Sequence, residues 1–148
     1  MRKLILASVI ATLPAIALAD AAEDAIEARQ GYMKMLAISM GTLSGMARGD
    51  IEYNAEAATT AGSNVEALGN YALPGLFIEG TSPDDGAETD ALPAIWENSE
   101  DFATKFAGLR EAAAGAGEAA GGGQEALAPL LQKLGGACKA CHDDYRED

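Results

Sequence analysis

The sequence has few of the residues that most binding sites need in number. Its 148 residues include two cysteines, one histidine and one tryptophan. A structural zinc site takes four Cys or His ligands, so three cannot complete one. Basic residues are also scarce: ten Lys and Arg stand against 23 Asp and Glu, a formal charge of -13. That balance repels nucleic acid and anionic membrane surfaces. No stretch reads as a strand, and a βαβ setting for a thioredoxin-like dithiol is therefore missing. One long apolar run exists, at the N-terminus, and there is no internal repeat.

That run belongs to an export signal. Met1-Arg2-Lys3 is a short basic start, residues 4–18 are almost wholly apolar, and Ala17-Leu18-Ala19 fits the small-x-small rule for cleavage before Asp20. The run falls short of the roughly 20 residues that span a bilayer. Residues 1–19 are thus expected to be removed and residues 20–148 to form one domain in the periplasm, with no membrane anchor. Loss of Arg2 and Lys3 leaves eight basic residues against 23 acidic ones and takes the formal charge to -15. A redox partner with a basic docking face would suit such a surface.

The scarce residues are not scattered. Cys138-Lys139-Ala140-Cys141-His142 holds both cysteines and the single histidine. C-x-x-C-H is the attachment signature of a c-type haem. The two sulfurs become thioethers, and the histidine supplies an axial nitrogen to iron. Covalent haem c, one per chain, is the expected cofactor. On a helix these residues fall at i, i+3 and i+4 and share a face.

The rest of the pattern is helical. Ile26, Met33, Leu36, Met40 and Leu43 make the stripe of a first helix over about residues 22–48. Gly49-Asp50 breaks it, with Asp50 as cap of a second, alanine-rich helix carrying Ile51, Ala55, Ala58, Ala61, Val65 and Leu68. Pro74-Gly75 ends that helix, and residues 80–90 form a polar loop. Asp90 caps and Pro93 opens a third helix bearing Ile95, Phe102, Phe106, Leu109 and Ala113. Residues 115–123 read as a small-residue linker. The fourth helix carries Leu127, Leu131, Leu134, Cys138, Cys141 and Tyr145, with Pro129 in its first turn. Gly135-Gly136 precedes the motif, where haem would approach the backbone closely or the helix would fray.

The expected fold is therefore an all-α, antiparallel up-down-up-down four-helix bundle. In it the start of helix one covers the distal side of the iron. Met33 combines the correct face with the correct level. Met35 points about 200° around the helix from Met33, while Met40 and Met46 lie roughly 10 and 20 Å further along. Its thioether is either a sixth ligand to iron or plain core filling.

Residues 134–146, Leu-Gly-Gly-Ala-Cys-Lys-Ala-Cys-His-Asp-Asp-Tyr-Arg, resemble the C-terminal signature of class II cytochromes c, the cytochrome c′ group. Residues 27–34 resemble that family's helix-one segment, and Ala94-Ile-Trp-Glu-Asn98 its third-helix entry. The resemblance implies thioethers at Cys138 and Cys141, a proximal ligand at His142, and Arg29 and Gln30 near the propionates. It places Arg146 beside the proximal histidine and Trp96 near the haem edge. It implies a homodimer through helices one and two. Family members with methionine at the position of Met33 resemble low-spin electron carriers, so His142/Met33 ligation and electron transfer without catalysis are the leading expectation. The alternative is a five-coordinate cytochrome c′ that binds nitric oxide or carbon monoxide at an open distal site.

Overall fold

A computed structural model describes residues 15–147 of the chain, with side chains from residue 20 onward. Residues 1–14 of the expected export segment lie outside the described residues. Residues 15–19 are helical and continue into the first long helix, α1, Ala15–Arg48. No helix among the described residues is long and apolar enough to cross a membrane.

The buried face of α1 steps by four and three: Ala25, Arg29, Tyr32, Leu36, Ser39, Leu43 and Met46. That heptad-like spacing is what a helix needs to lie nearly parallel to its neighbours. Met35 is exposed, as its position predicts. Met46 is buried in the core. The helix ends in a Schellman motif: Gly49 takes φ of 79°, Asp50 N–H reaches the Gly45 carbonyl and Gly49 N–H that of Met46. Only a residue without Cβ adopts that turn freely.

The second helix, α2, is Ala55–Gly69, and its cap is Asn54, whose side chain accepts from Ala57 N–H at 2.8 Å. Asp50 is not the cap; it pairs with Arg48 at 2.8 Å in the preceding turn. Ile51 consequently lies outside the helix and is exposed. α2 stops at Asn70, before Pro74, and residues Leu73–Leu76 form a separate 3-10 turn.

The expected third helix is two. α3 is Ala94–Glu97 and α4 is Ser99–Ala113, separated where Asn98 leaves helical geometry at φ -127°, ψ 46°. Asp90 does not cap α3; its carbonyl accepts from Glu147 N–H at 2.8 Å. The expected linker also contains a helix, α5, Ala116–Gly121. It exists because glycine lets it touch α2. A methyl group on Gly62 would run into the Ala116 carbonyl, one on Gly117 into the Ser63 hydroxyl, and one on Gly121 into that of Thr59.

The last helix, α6, is Leu127–Tyr145 and runs unbroken through Gly135 and Gly136. α1, α2, α4 and α6 form a four-helix bundle around Leu36, Leu43, Val65, Leu109, Leu127 and Leu134. No strand occurs among the described residues. A single antiparallel bridge joins Ala91 to Arg146 and ties the end of α6 to the loop before α3. A smaller cluster of Ala91, Ile95, Phe102 and Tyr145 closes that end of the bundle.

Candidate functional site

Between α1, α4 and α6 the bundle encloses a cavity of about 690 Å³. α6 contributes Cys138, Cys141, His142 and Tyr145 to its wall, and Arg146 follows. The i, i+3, i+4 spacing thus delivers both thiols and the imidazole to one side. Opposite, α1 presents Met33, Leu36, Ala37 and Met40, with Arg29, Gln30 and Lys34 nearer its start. Phe102, Lys105, Phe106 and Leu109 of α4 complete the enclosure.

Both cysteines are free thiols of intermediate exposure. Burial pushes Cys138 above the ordinary thiol range and Cys141 to about 11, the latter opposed by the nearby Lys105 cation. Both therefore stay protonated at neutral pH. His142 moves the other way: burial lowers its pKa, with Arg146 adding to the effect and Asp143 opposing it. A neutral imidazole is the form that binds a metal. Arg146 Nη1 lies 3.4 Å from His142 Nδ1.

Arg29 is the most constrained polar group in the wall. It is 3% exposed and donates through Nη1 to Thr81 Oγ1 at 2.8 Å and through Nη2 to the Thr81 carbonyl at 2.6 Å. A third bond reaches Thr89 Oγ1, and the guanidinium lies 4.9 Å over the Phe77 ring. Its Nε is buried without a partner among the described residues. A buried donor left unpaired costs about 1–3 kcal/mol, so an acceptor in the cavity suits it. Gln30 spends its amide N–H on the Glu88 carbonyl at 2.9 Å.

The sequence-derived candidates therefore converge, with one exception. Cys138, Cys141, His142, Met33, Arg29, Gln30 and Arg146 all line the cavity. Trp96 does not. Its indole N–H donates to the Phe77 carbonyl at 3.0 Å, and its ring meets Phe77 edge-on at 6.4 Å. Phe77 is the residue that reaches the wall. Met40 was expected a level away from Met33 yet shares the cavity, because the cavity extends along α1.

Lys105 sits in mid-helix without a motif and carries no mark in the sequence, and Phe106 reads there only as part of a helix's apolar face. Lys105 Nζ bonds the Asp144 carboxylate and donates to the Ala140 carbonyl at 3.1 Å, so it grips the attachment turn itself. Its 39-residue separation from Asp144 hides that contact in the sequence.

Two free thiols one helical turn apart, a neutral imidazole beside them and an apolar cavity with an orphaned guanidinium N–H fit a covalently attached haem. Fold and site together define a helical-bundle c-type haem protein. The cytochrome c′ family model matches residues 24–146, and the chain belongs to that family. It is 43% identical over 146 residues to the cytochrome c′ of Cereibacter sphaeroides, covering 99% of this chain and 98% of that one. A solved cytochrome c′ from Rhodobacter superposes with a TM-score of 0.79 at 42% identity, covering 84% of this chain and 96% of the other. A variant of the Alcaligenes xylosoxidans protein, solved as a nitric oxide complex, superposes at 0.72 with 26% identity over 86% of this chain and 97% of that one. The protein is accordingly a haem c protein. Ligation of iron by Met33 does not follow from membership of this family.

Proposed function

We propose that this protein is a periplasmic cytochrome c′ whose haem, fixed by Cys138 and Cys141 and held by His142, binds a small uncharged gas on the face turned toward α1. Nitric oxide and carbon monoxide are the ligand class. The make-up of the α1 wall carries this reading: Met33, Leu36, Ala37 and Met40 form an apolar lining. Such a wall disfavours charged ligands and admits a small neutral molecule that needs no hydrogen bond from it. The nitric oxide complex of the Alcaligenes relative supports the same ligand class. Arg29 Nε–H is the donor offered to a haem propionate, and Arg146 stands beside the proximal imidazole.

In this reading Met33 is part of the wall, and binding the gas transforms no substrate. Carbon monoxide added to the reduced protein tests it. Wild type should bind in a single phase whose rate rises in proportion to gas concentration. A rate that saturates, and loses that saturation in Met33→Leu, would mean that the sulfur must first leave the iron.

The electron-carrier reading has one observation in its favour. Met33 lies in the same cavity as His142, and the residue is 37% exposed, so the thioether has room to turn. A basic partner face would complement the acidic surface in either case. Self-association through α1 and α2 is part of the proposal, because Met35 and Ile38 are exposed on α1 and Ile38 also borders a groove shared with α2. Light scattering of Ile38→Glu against wild type should show the dimer of the wild type reduced to monomer.

A further inference from the structure

Tyr145 ends α6 three residues beyond His142, in the wall of the haem cavity and 5% exposed. Its phenol donates to Asp101 Oδ2 of α4 at 2.6 Å, with the Asn98 carbonyl more distant at 3.5 Å. Two other phenols are bonded differently. Buried Tyr32 donates to the Leu68 carbonyl and half-buried Tyr53 to that of Ala120, neither of which can take a proton. A phenol gives up an electron readily only if its proton leaves in the same event, and a carboxylate at hydrogen-bond distance is the base for that.

The surroundings suit the transfer. Asp101 is 56% exposed at its side chain, so a proton that it accepts can pass on to water. Lys105, 3.6 Å from Asp101 and 5.6 Å from the centre of the Tyr145 ring, keeps Asp144 as its anion when Asp101 is neutralised. Phe102 packs edge-on against Tyr145 at 5.3 Å, and Phe77 against Phe102 at 4.8 Å. These rings pack in one cluster with Tyr145 and help keep it buried. The phenol's own pKa is pushed up to about 12, first by its bond to Asp101, so it starts as the neutral donor.

We propose that Tyr145 and Asp101 are a proton-coupled electron-donor pair serving the haem, through which the protein reduces hydrogen peroxide. Haem held by Cys138, Cys141 and His142 would take up one peroxide oxygen and supply one of the two electrons that O–O cleavage needs, while the other oxygen leaves as one water molecule. Tyr145 supplies the second electron. The Tyr145 proton crosses to Asp101, leaving a neutral tyrosyl radical beside a neutral carboxyl. Entry of peroxide rests on the open distal face proposed above.

The test is freeze-quench electron paramagnetic resonance of the ferric holoprotein mixed with hydrogen peroxide, beside carbon monoxide binding to the ferrous form. Wild type should give a tyrosyl signal that Tyr145→Phe removes and Tyr32→Phe leaves intact. Asp101→Asn still accepts the phenol hydrogen bond but loses the base, and should slow radical formation about 100-fold. No tyrosyl signal in wild type, a signal that survives Tyr145→Phe, or an unchanged rate in Asp101→Asn would each overturn the proposal. Gas binding without a radical would refute the pair and leave the open site standing. The absence of both gas binding and a radical would refute the open site and, with it, the pair.

Discussion

The two flanks of the bundle are built on opposite plans. Where α2 meets α5 the contact is made of the smallest residues: Ala58, Ala116 and Ala120 are fully buried, and Gly62, Gly117 and Gly121 bring backbones together. Where α1, α4 and α6 face one another, larger side chains stand back around about 690 Å³. The first flank is complete as a polypeptide, close-packed with no room for a methyl group. The second is completed by its cofactor. Stability should therefore respond to volume on one flank and to haem on the other.

The largest effect should come from removing the attachment. Replacing Cys138 and Cys141 by serine leaves no covalent haem on a denaturing gel and no packed interior on the cavity flank. The near-UV circular dichroism should lose its cooperative melt, a change as large as a domain's whole margin of about 5–15 kcal/mol. A variant that melts like wild type would show that the cavity flank does not depend on haem.

On the other flank Gly62→Val should cost about 3 kcal/mol, because the added carbons meet backbone rather than a movable side chain. Chemical denaturation measures this, and the Soret band should not move. A shifted haem spectrum would mean that the flanks are coupled after all.

Arg29→Met sharpens the boundary. It keeps the stem but strands the Thr81 carbonyl, and should destabilise the protein by about 2 kcal/mol. Hydrogen exchange should rise in residues 78–90 and stay unchanged in α2 and α5.

The smallest effect lies in the connection between α2 and α3. In the turn after Thr81, hydrogen bonds from the Ser82 hydroxyl and then from the Ser82 N–H hold the Asp85 carboxyl below its ordinary range. A depressed folded-state pKa gives stability that is present above the unfolded value and lost as pH falls through the folded one. Asp85→Asn should therefore melt slightly below wild type at pH 7. The difference should close as pH drops below the ordinary carboxylate range.

How far the sequence foretells this structure depends on how local each signal is. The C-x-x-C-H motif and the helical stripes are short-range, and both the bundle and the convergence of Cys138, Cys141 and His142 are legible from them. Helix ends are less so. Asp50 and Asp90 read as caps because of residue type, yet Asn54 caps α2 and Asp90 turns its carbonyl to the chain terminus. α5 was hidden because a run of alanine and glycine looks like a linker until α2 is placed against it. Lys105 and the Tyr145–Asp101 pair depend on contacts across 39 and 44 residues, for which one sequence carries no mark. The likeness places Trp96 near the haem edge, whereas Phe77, 19 residues earlier, lines the cavity with Trp96 packed edge-on against it.

The open distal face is the central claim, and the visible spectrum of the dithionite-reduced protein before and after carbon monoxide tests it most directly. A high-spin ferrous spectrum that carbon monoxide converts at once to a low-spin adduct, in wild type and in Met33→Leu alike, is the expected result. A low-spin ferrous spectrum in wild type that turns high-spin in Met33→Leu would contradict it and give the sixth position to the Met33 sulfur.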